Sequence, residues 1–201
     1  MNAETMKSLL SRLYSALVLL LAVGEVLLVL VSWLFSATLT DGPRSLLSGE
    51  GVRWLLGHFS TLLATPALVW LLLIAMAGGC LWRSGLLRAP ATYGERVGRR
   101  AVFLFILSYV VVLLALVLPP HAILLSATGR FLPSPLSRAA VPLLALGVLL
   151  ASTLYGWIAG RFVNIADVTR AMAFGIAQAA PLLVLYVLVV QFGRSLAYVL
   201  G

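Results

Sequence analysis

Glu25 is the residue of this sequence that most needs a chemical reason. It stands near the middle of an apolar run from about Leu13 to Phe35. An ionised carboxylate at the centre of a hydrocarbon layer costs on the order of 2.5–3.5 kcal/mol on insertion scales. A carboxyl kept there either takes up and releases a proton or cation, or serves in its neutral form as a hydrogen-bonding group between helices. No Lys or Arg lies at matching depth in the other apolar runs, so the neutral form is expected, with Ser108, Tyr109, Ser152 or Tyr155 as its partner.

Asn164 precedes Asp167 by three residues at the head of another apolar run. That is the spacing at which an N-cap side chain and an acidic third residue complement the free N–H groups of a helix start. With Glu25 and Gln178, these two are the candidates for ion coupling or transport; the alternative for Asn164 and Asp167 is capping alone. Gln178 and Gln191 are amides that would bond across to another helix. Ser152, Gly156 and Gly160 repeat every four residues, a face with almost no side chain that lets a second helix approach, or else a backbone-lined path. Ala171, Gly175 and Ala179 make a similar face, and the two are expected to pack together. His58 and His121 show no ligand spacing, and Cys80 has no second thiol. Without a Ser-His-Asp set, a metal site or a phosphate loop, no catalytic residue, metal or cofactor is expected, and the chain does not read as an enzyme.

The elements that hold these residues follow from composition. Of 201 residues 62% are hydrophobic and 10% charged, against about 45–50% and about 25% in soluble domains. The excess has no aqueous surface to occupy, which places the chain in a lipid bilayer. A soluble enzyme and a nucleic-acid partner are excluded despite the formal net charge of +8. A helix needs about 20 apolar residues to cross a bilayer, and five runs qualify, at about 13–35, 66–82, 101–118, 141–160 and 171–192. The first follows Lys7 and Arg12, is too long for a signal-peptide core and has no cleavage site after it, so it is expected to stay as an anchor. Pro181 is expected to kink the fifth. Between the first two, Val52, Leu55, Leu56, Phe59, Leu62 and Leu63 recur at helical spacing opposite Arg53, Ser60 and Thr61. This predicts an amphipathic helix over about 51–63 lying in the interface, with Trp54 in the aromatic belt. Lys and Arg retain loops on the cytoplasmic side. With the N-terminus inside, nine of the fourteen fall on inner segments, five of them in the stretch from Arg83 to Arg100. An anionic-lipid patch is the alternative reading of that stretch.

Three groups of motifs, taken in order, resemble the AbgT-type aminobenzoyl-glutamate transporter family. The first is Ser45-Leu46-Leu47-Ser48-Gly49-Glu50-Gly51-Val52-Arg53-Trp54, followed by a span ending in Arg83-Ser84-Gly85-Leu86-Leu87. The second is Glu95-Arg96 leading to Leu118-Pro119-Pro120. The third runs from Gly129-Arg130-Phe131-Leu132-Pro133-Ser134-Pro135-Leu136 through Val141-Pro142-Leu143, Tyr155-Gly156 and Asp167-Val168 to Gln191-Phe192. The resemblance implies a dimeric exporter in which a helical scaffold carries two re-entrant hairpins. Between Leu87 and Glu95 the chain has a short loop where the family has its first hairpin, and Gly201 falls about where the second would begin. The scaffold side is therefore what is expected here, without the segments that carry the family's substrate- and cation-binding residues, and Glu25 has no equivalent in the family's pattern.

The sequence thus predicts an all-α integral membrane protein, 1–201 as one domain, with about five transmembrane helices and one interfacial amphipathic helix. It is expected in the cell inner membrane with its N-terminus in the cytoplasm, as a homo-oligomer or with a partner membrane subunit. The resemblance implies transport of a small-molecule solute, aminobenzoyl-glutamate-like or an antimetabolite. The alternative is a non-transporting scaffold or accessory subunit.

Overall fold

The computed structural model of the chain describes residues 3–38, 44–117 and 135–201. His121, Pro119-Pro120 and the stretch from Gly129 to Ser134 lie outside them. Six α-helices and no strand occur among the described residues: α1 (Ala3–Thr38), α2 (Gly49–Leu63), α3 (Pro66–Ser84), α4 (Tyr93–Val117), α5 (Pro135–Ile158) and α6 (Ile165–Leu200). All but α2 are long and apolar enough to cross a membrane. In hydrocarbon every backbone N–H and C=O must be satisfied within its own segment, which leaves an apolar chain little choice but the helix.

The helices outrun the apolar windows that announced them. At 1.5 Å per residue, the 36 residues of α1 and of α6 each extend about 54 Å, well beyond the roughly 30 Å of hydrocarbon. An apolar window detects only the part in lipid. The flanking turns, rich in Arg, Glu, Leu and Ala, are good helix formers and continue the rod into water. Thus α4 starts at Tyr93 and takes in Glu95, Arg96, Arg99 and Arg100, while α6 runs past Phe192 to include Arg194 and Ser195. Helix α6 continues through Pro181, and α5 through Pro142, which sits in its interior because the helix begins at Pro135.

Helix starts carry local signals. Ser48 caps α2, its hydroxyl accepting the Gly51 N–H at 3.0 Å. Thr92 and Glu95 form a reciprocal box at α4: Thr92 Oγ1 accepts from Glu95 N at 3.4 Å, and Glu95 Oε2 accepts from Thr92 N at 3.3 Å.

The chain divides into two compact units, Met1–Leu68 with Pro181–Gly201, and Val69–Ala180. In the first, Trp54 of α2 stacks on Tyr198 of α6 with centroids 4.4 Å apart. The Thr65 and Tyr186 hydroxyls are hydrogen-bonded, and Tyr186 also donates to Leu63 O. Ser32 of α1, wholly buried, accepts the Leu46 N–H at 3.3 Å and so ties down the segment before α2.

The second unit packs α3, α4, α5 and the first half of α6 around two apolar clusters, one of Cys80, Phe162, Val168 and Ala171, the other of Val102, Ala151 and Tyr155. Its closest approach joins α3 and α6. A Cβ at Gly175 would overlap Ala75 O and fall 2.8 Å from Gly79 Cα. The small face of α6 therefore packs on α3, and not on the Ser152, Gly156, Gly160 face as the spacing suggested. That face is used differently at each position. Ser152 is buried and donates to Val148 O of its own helix at 2.7 Å. Gly156 is covered by the Phe162 ring, which a Cβ would strike. Gly160 lies beyond the helix end with φ +70 and open space around it. Its N–H bonds to Trp157 O and that of Arg161 to Gly156 O, the Schellman arrangement that ends a helix at a left-handed residue. A repeat of four continued past the last turn thus mistakes a cap for a packing position.

Candidate functional site

The polar centre of the first unit is built from α1 and α6. Gln191 and Ser195 are four residues apart on α6, so their side chains stack on one face. On α1, Gly24 clears the way for the Phe192 ring, which a Cβ there would meet at 3.2 Å. The two helices approach closely at that level, and the neighbouring Glu25 meets Ser195. Ser195, wholly buried, donates from Oγ to Glu25 Oε1 at 2.5 Å, and Gln191 Nε2 donates to Ser195 Oγ at 3.3 Å.

Two ends of this chain of bonds are open. Glu25 Oε2 and Gln191 Oε1 are buried and have no hydrogen-bond partner among the described residues. A buried polar atom left unpaired costs about 1–3 kcal/mol. With Glu25 ionised, both open atoms are acceptors and neither satisfies the other. With a proton on Oε2, that atom becomes a donor. The same cluster also offers three oxygen types, carboxylate, amide and hydroxyl, of the kind that hold a hard cation. Neither ion pair among the described residues involves Glu25.

The partners expected for Glu25 are engaged elsewhere. Ser108 donates to Phe105 O, Tyr109 to Leu143 O at 2.8 Å and Ser152 within its own helix, while Tyr155 is packed in the Val102 cluster. The actual partner, Ser195, lies 170 residues away in sequence and past the end of the expected fifth span. The one sequence signal for it is its spacing of four from Gln191.

The other candidates fall in the second unit. Asn164 and Asp167 meet at the first turn of α6. Asp167 Oδ2 accepts from Val163 N at 2.9 Å and Asn164 N at 3.1 Å, while its Oδ1 pairs with Arg170 at 3.1 Å. The acid reaches back to the cap, as the spacing implied, through its own carboxylate. Gln178 is exposed on α6. An ion pair the sequence did not announce joins Glu95 Oε1 to Arg161 Nη2 at 2.9 Å, and Glu95 Oε2 also accepts the Ala91 N–H at 2.8 Å.

The model of the AbgT putative transporter family matches residues 92–199, just over half of the chain. The crystal structure of the Alcanivorax borkumensis YdaH transporter, described as having an unusual topology, is similar in fold, with a TM-score of 0.74. The likeness covers 90% of this chain and 70% of that one at 16% identity. None of the curated proteins matches the sequence.

Proposed function

The chain belongs to the AbgT transporter family, and from that membership we propose that it moves an aminobenzoyl-glutamate-like or antimetabolite solute across the cell inner membrane, as a homo-oligomer, with Glu25 taking up and releasing a proton. The observation that carries the reading is a buried carboxyl in an apolar helix whose Oε2 meets no donor among the described residues. A neutral carboxyl is stable in such a place, and an ionised one is not. A carboxyl able to exchange a proton is what coupling to a pH gradient needs. Asn164 and Asp167 act as the start of α6, and Gln178 stands as a second polar contact for solute.

Orientation is proposed with the N-terminus inside and Gly201 outside, on the nine-to-five division of basic residues. Reporter fusions after Gly94 and at Gly201 are expected to read cytoplasm and periplasm respectively. Cytoplasmic signals from both would overturn the arrangement.

The test of function is flux. The purified full chain in proteoliposomes under an imposed pH gradient is expected to move labelled aminobenzoyl-glutamate faster than protein-free vesicles. Glu25→Gln, which keeps a hydrogen-bond donor but cannot ionise, should abolish the pH-driven part while the protein stays folded. Flux at the protein-free rate, with or without a gradient, would favour the accessory-subunit reading.

A further inference from the structure

One end of the second unit carries a different polar site. The end of α3, the turn after it and the turn after α5 bring Trp82, Arg83, Arg88 and Arg161, with Phe174 of α6, around a cavity of about 260 Å³. We propose that this cavity binds a phosphate group, carried by the headgroup of an anionic lipid.

Three arginines at one small cavity repel one another unless something anionic lies between them, and the fold holds the guanidiniums of Arg161 and Arg83 and the backbone of Arg88. The Arg161 guanidinium is fixed by Glu95 at 2.9 Å. The chain passes close to it in a left-handed turn at Gly85, φ +78, where a Cβ would come within 3.4 Å of Arg161 Cζ. Arg83 lies over the Phe174 ring, 5.3 Å from its centroid. Arg88 closes the turn with its N–H on Gly85 O at 3.0 Å, and its own carbonyl accepts from Arg99 Nη2 at 2.6 Å. Positions fixed in this way lower the ordering cost of binding.

The local charge is not balanced from within. Residues 82–100 and 161–170 contain seven Arg and two acids, and both acids are already paired, Glu95 with Arg161 and Asp167 with Arg170. Arg83 and Arg88 have no carboxylate partner among the described residues. A guanidinium offers five N–H donors in a planar fork. A phosphate presents enough acceptor oxygens for several forks, whereas a carboxylate is largely satisfied by one. The volume is below the about 300–1,000 Å³ of sites for drug-sized ligands, which suits a headgroup and not a whole metabolite. Trp82, 64% exposed beside Arg83 at the end of a membrane-crossing helix, is placed as interfacial indoles are, next to headgroups.

The experiment uses the purified full chain in phosphatidylcholine-containing detergent micelles, titrated with phosphatidylglycerol in one arm and inorganic phosphate in the other. Binding is read by native mass spectrometry and by thermal melting. Phosphatidylglycerol is expected to be retained over phosphatidylcholine and to raise the melting temperature. Arg83→Gln and Arg88→Gln should each weaken that affinity about tenfold, the scale of one charge-assisted bond, and Arg53→Gln should not. Arg88→Lys should restore only part of the loss, since it returns the charge without the fork; this variant also serves if Arg83→Gln fails to fold. Stabilisation by inorganic phosphate with the same dependence on Arg83 and Arg88 would keep the site and assign it to a soluble phosphate. Lipid or phosphate effects unchanged in both Gln variants, equally lost in Arg53→Gln, or fully restored by Lys would overturn the proposal.

Discussion

Glu95 and Glu25 are both drawn into the packed part of their units, and the two units treat them in opposite ways. Glu95 is saturated: Arg161 takes one oxygen, and the Ala91 and Thr92 N–H groups take the other. Glu25 has one bond, from Ser195, and an oxygen with none. A carboxylate that meets a guanidinium and two amide donors is held in one state. A carboxyl that meets a single hydroxyl keeps one oxygen open. The difference separates a structural acid, which fixes the ends of α4 and α5 together, from an acid with an oxygen left open.

The largest expected effect asks whether the second unit rests on that saturated acid at all. Its tightest contact is the backbone crossing of Gly175 with Gly79 and Ala75, where no flexible side chain can yield. Gly175→Leu should therefore lower stability by the upper end of the about 1–3 kcal/mol typical of overpacking, or more. Thermal melting in detergent, beside the exposed-site control Leu144→Ala, would check it. Melting equal to the wild type would mean that polar pairing and not close packing holds the unit.

Next is Glu25→Leu. It strips the buried Ser195 hydroxyl of its acceptor, so a loss of about 1–3 kcal/mol is expected. Equal melting of this variant and the wild type would show the cluster to be wet, and the contrast with Glu95 would fail. A smaller loss is expected from Glu95→Gln. The amide oxygen still accepts the Ala91 or Thr92 N–H, but the charge facing Arg161 is gone. Because Arg161 is 38% exposed, salt screens the pair. The gap in melting temperature between wild type and Glu95→Gln should narrow as salt is raised, and a gap independent of salt would assign the pair's role to packing.

What could be read from the sequence divides along the same line. Five apolar runs gave five helices long and apolar enough to cross because lipid leaves an apolar segment few alternatives, and the start of α6 was legible because the bond from the Asn164 N–H to Asp167 spans three residues. The Glu25–Ser195 bond was not, since it depends on which helix faces which, and apolar faces in lipid carry no pattern to say so. The small-residue repeat identified Gly175 as a contact but not its partner, for the same reason. The apolar spans cover only part of each rod where charged helix formers prolong it, and Ser195 lies in one of those extensions.

The smallest expected effect on stability is the most informative about function. Glu25→Gln puts an NH₂ group in place of one carboxyl oxygen, so the side chain keeps an acceptor for Ser195 and carries a donor that it cannot lose. If the resting state holds a neutral carboxyl, this variant imitates it, and melting near neutral pH should match the wild type. The two should part as pH rises. On the proposed proton-coupled reading the wild type gives up a donor that the amide keeps, so the stability of Glu25→Gln should stay flat while that of the wild type falls. Melting curves collected from mildly acid to alkaline pH would check this, with Glu95→Gln as the comparison that removes a carboxylate without touching the cluster. Parallel curves for wild type and Glu25→Gln across the whole range would mean that Glu25 does not change state, and the cluster would then be a fixed clamp of the same kind as Glu95 with Arg161.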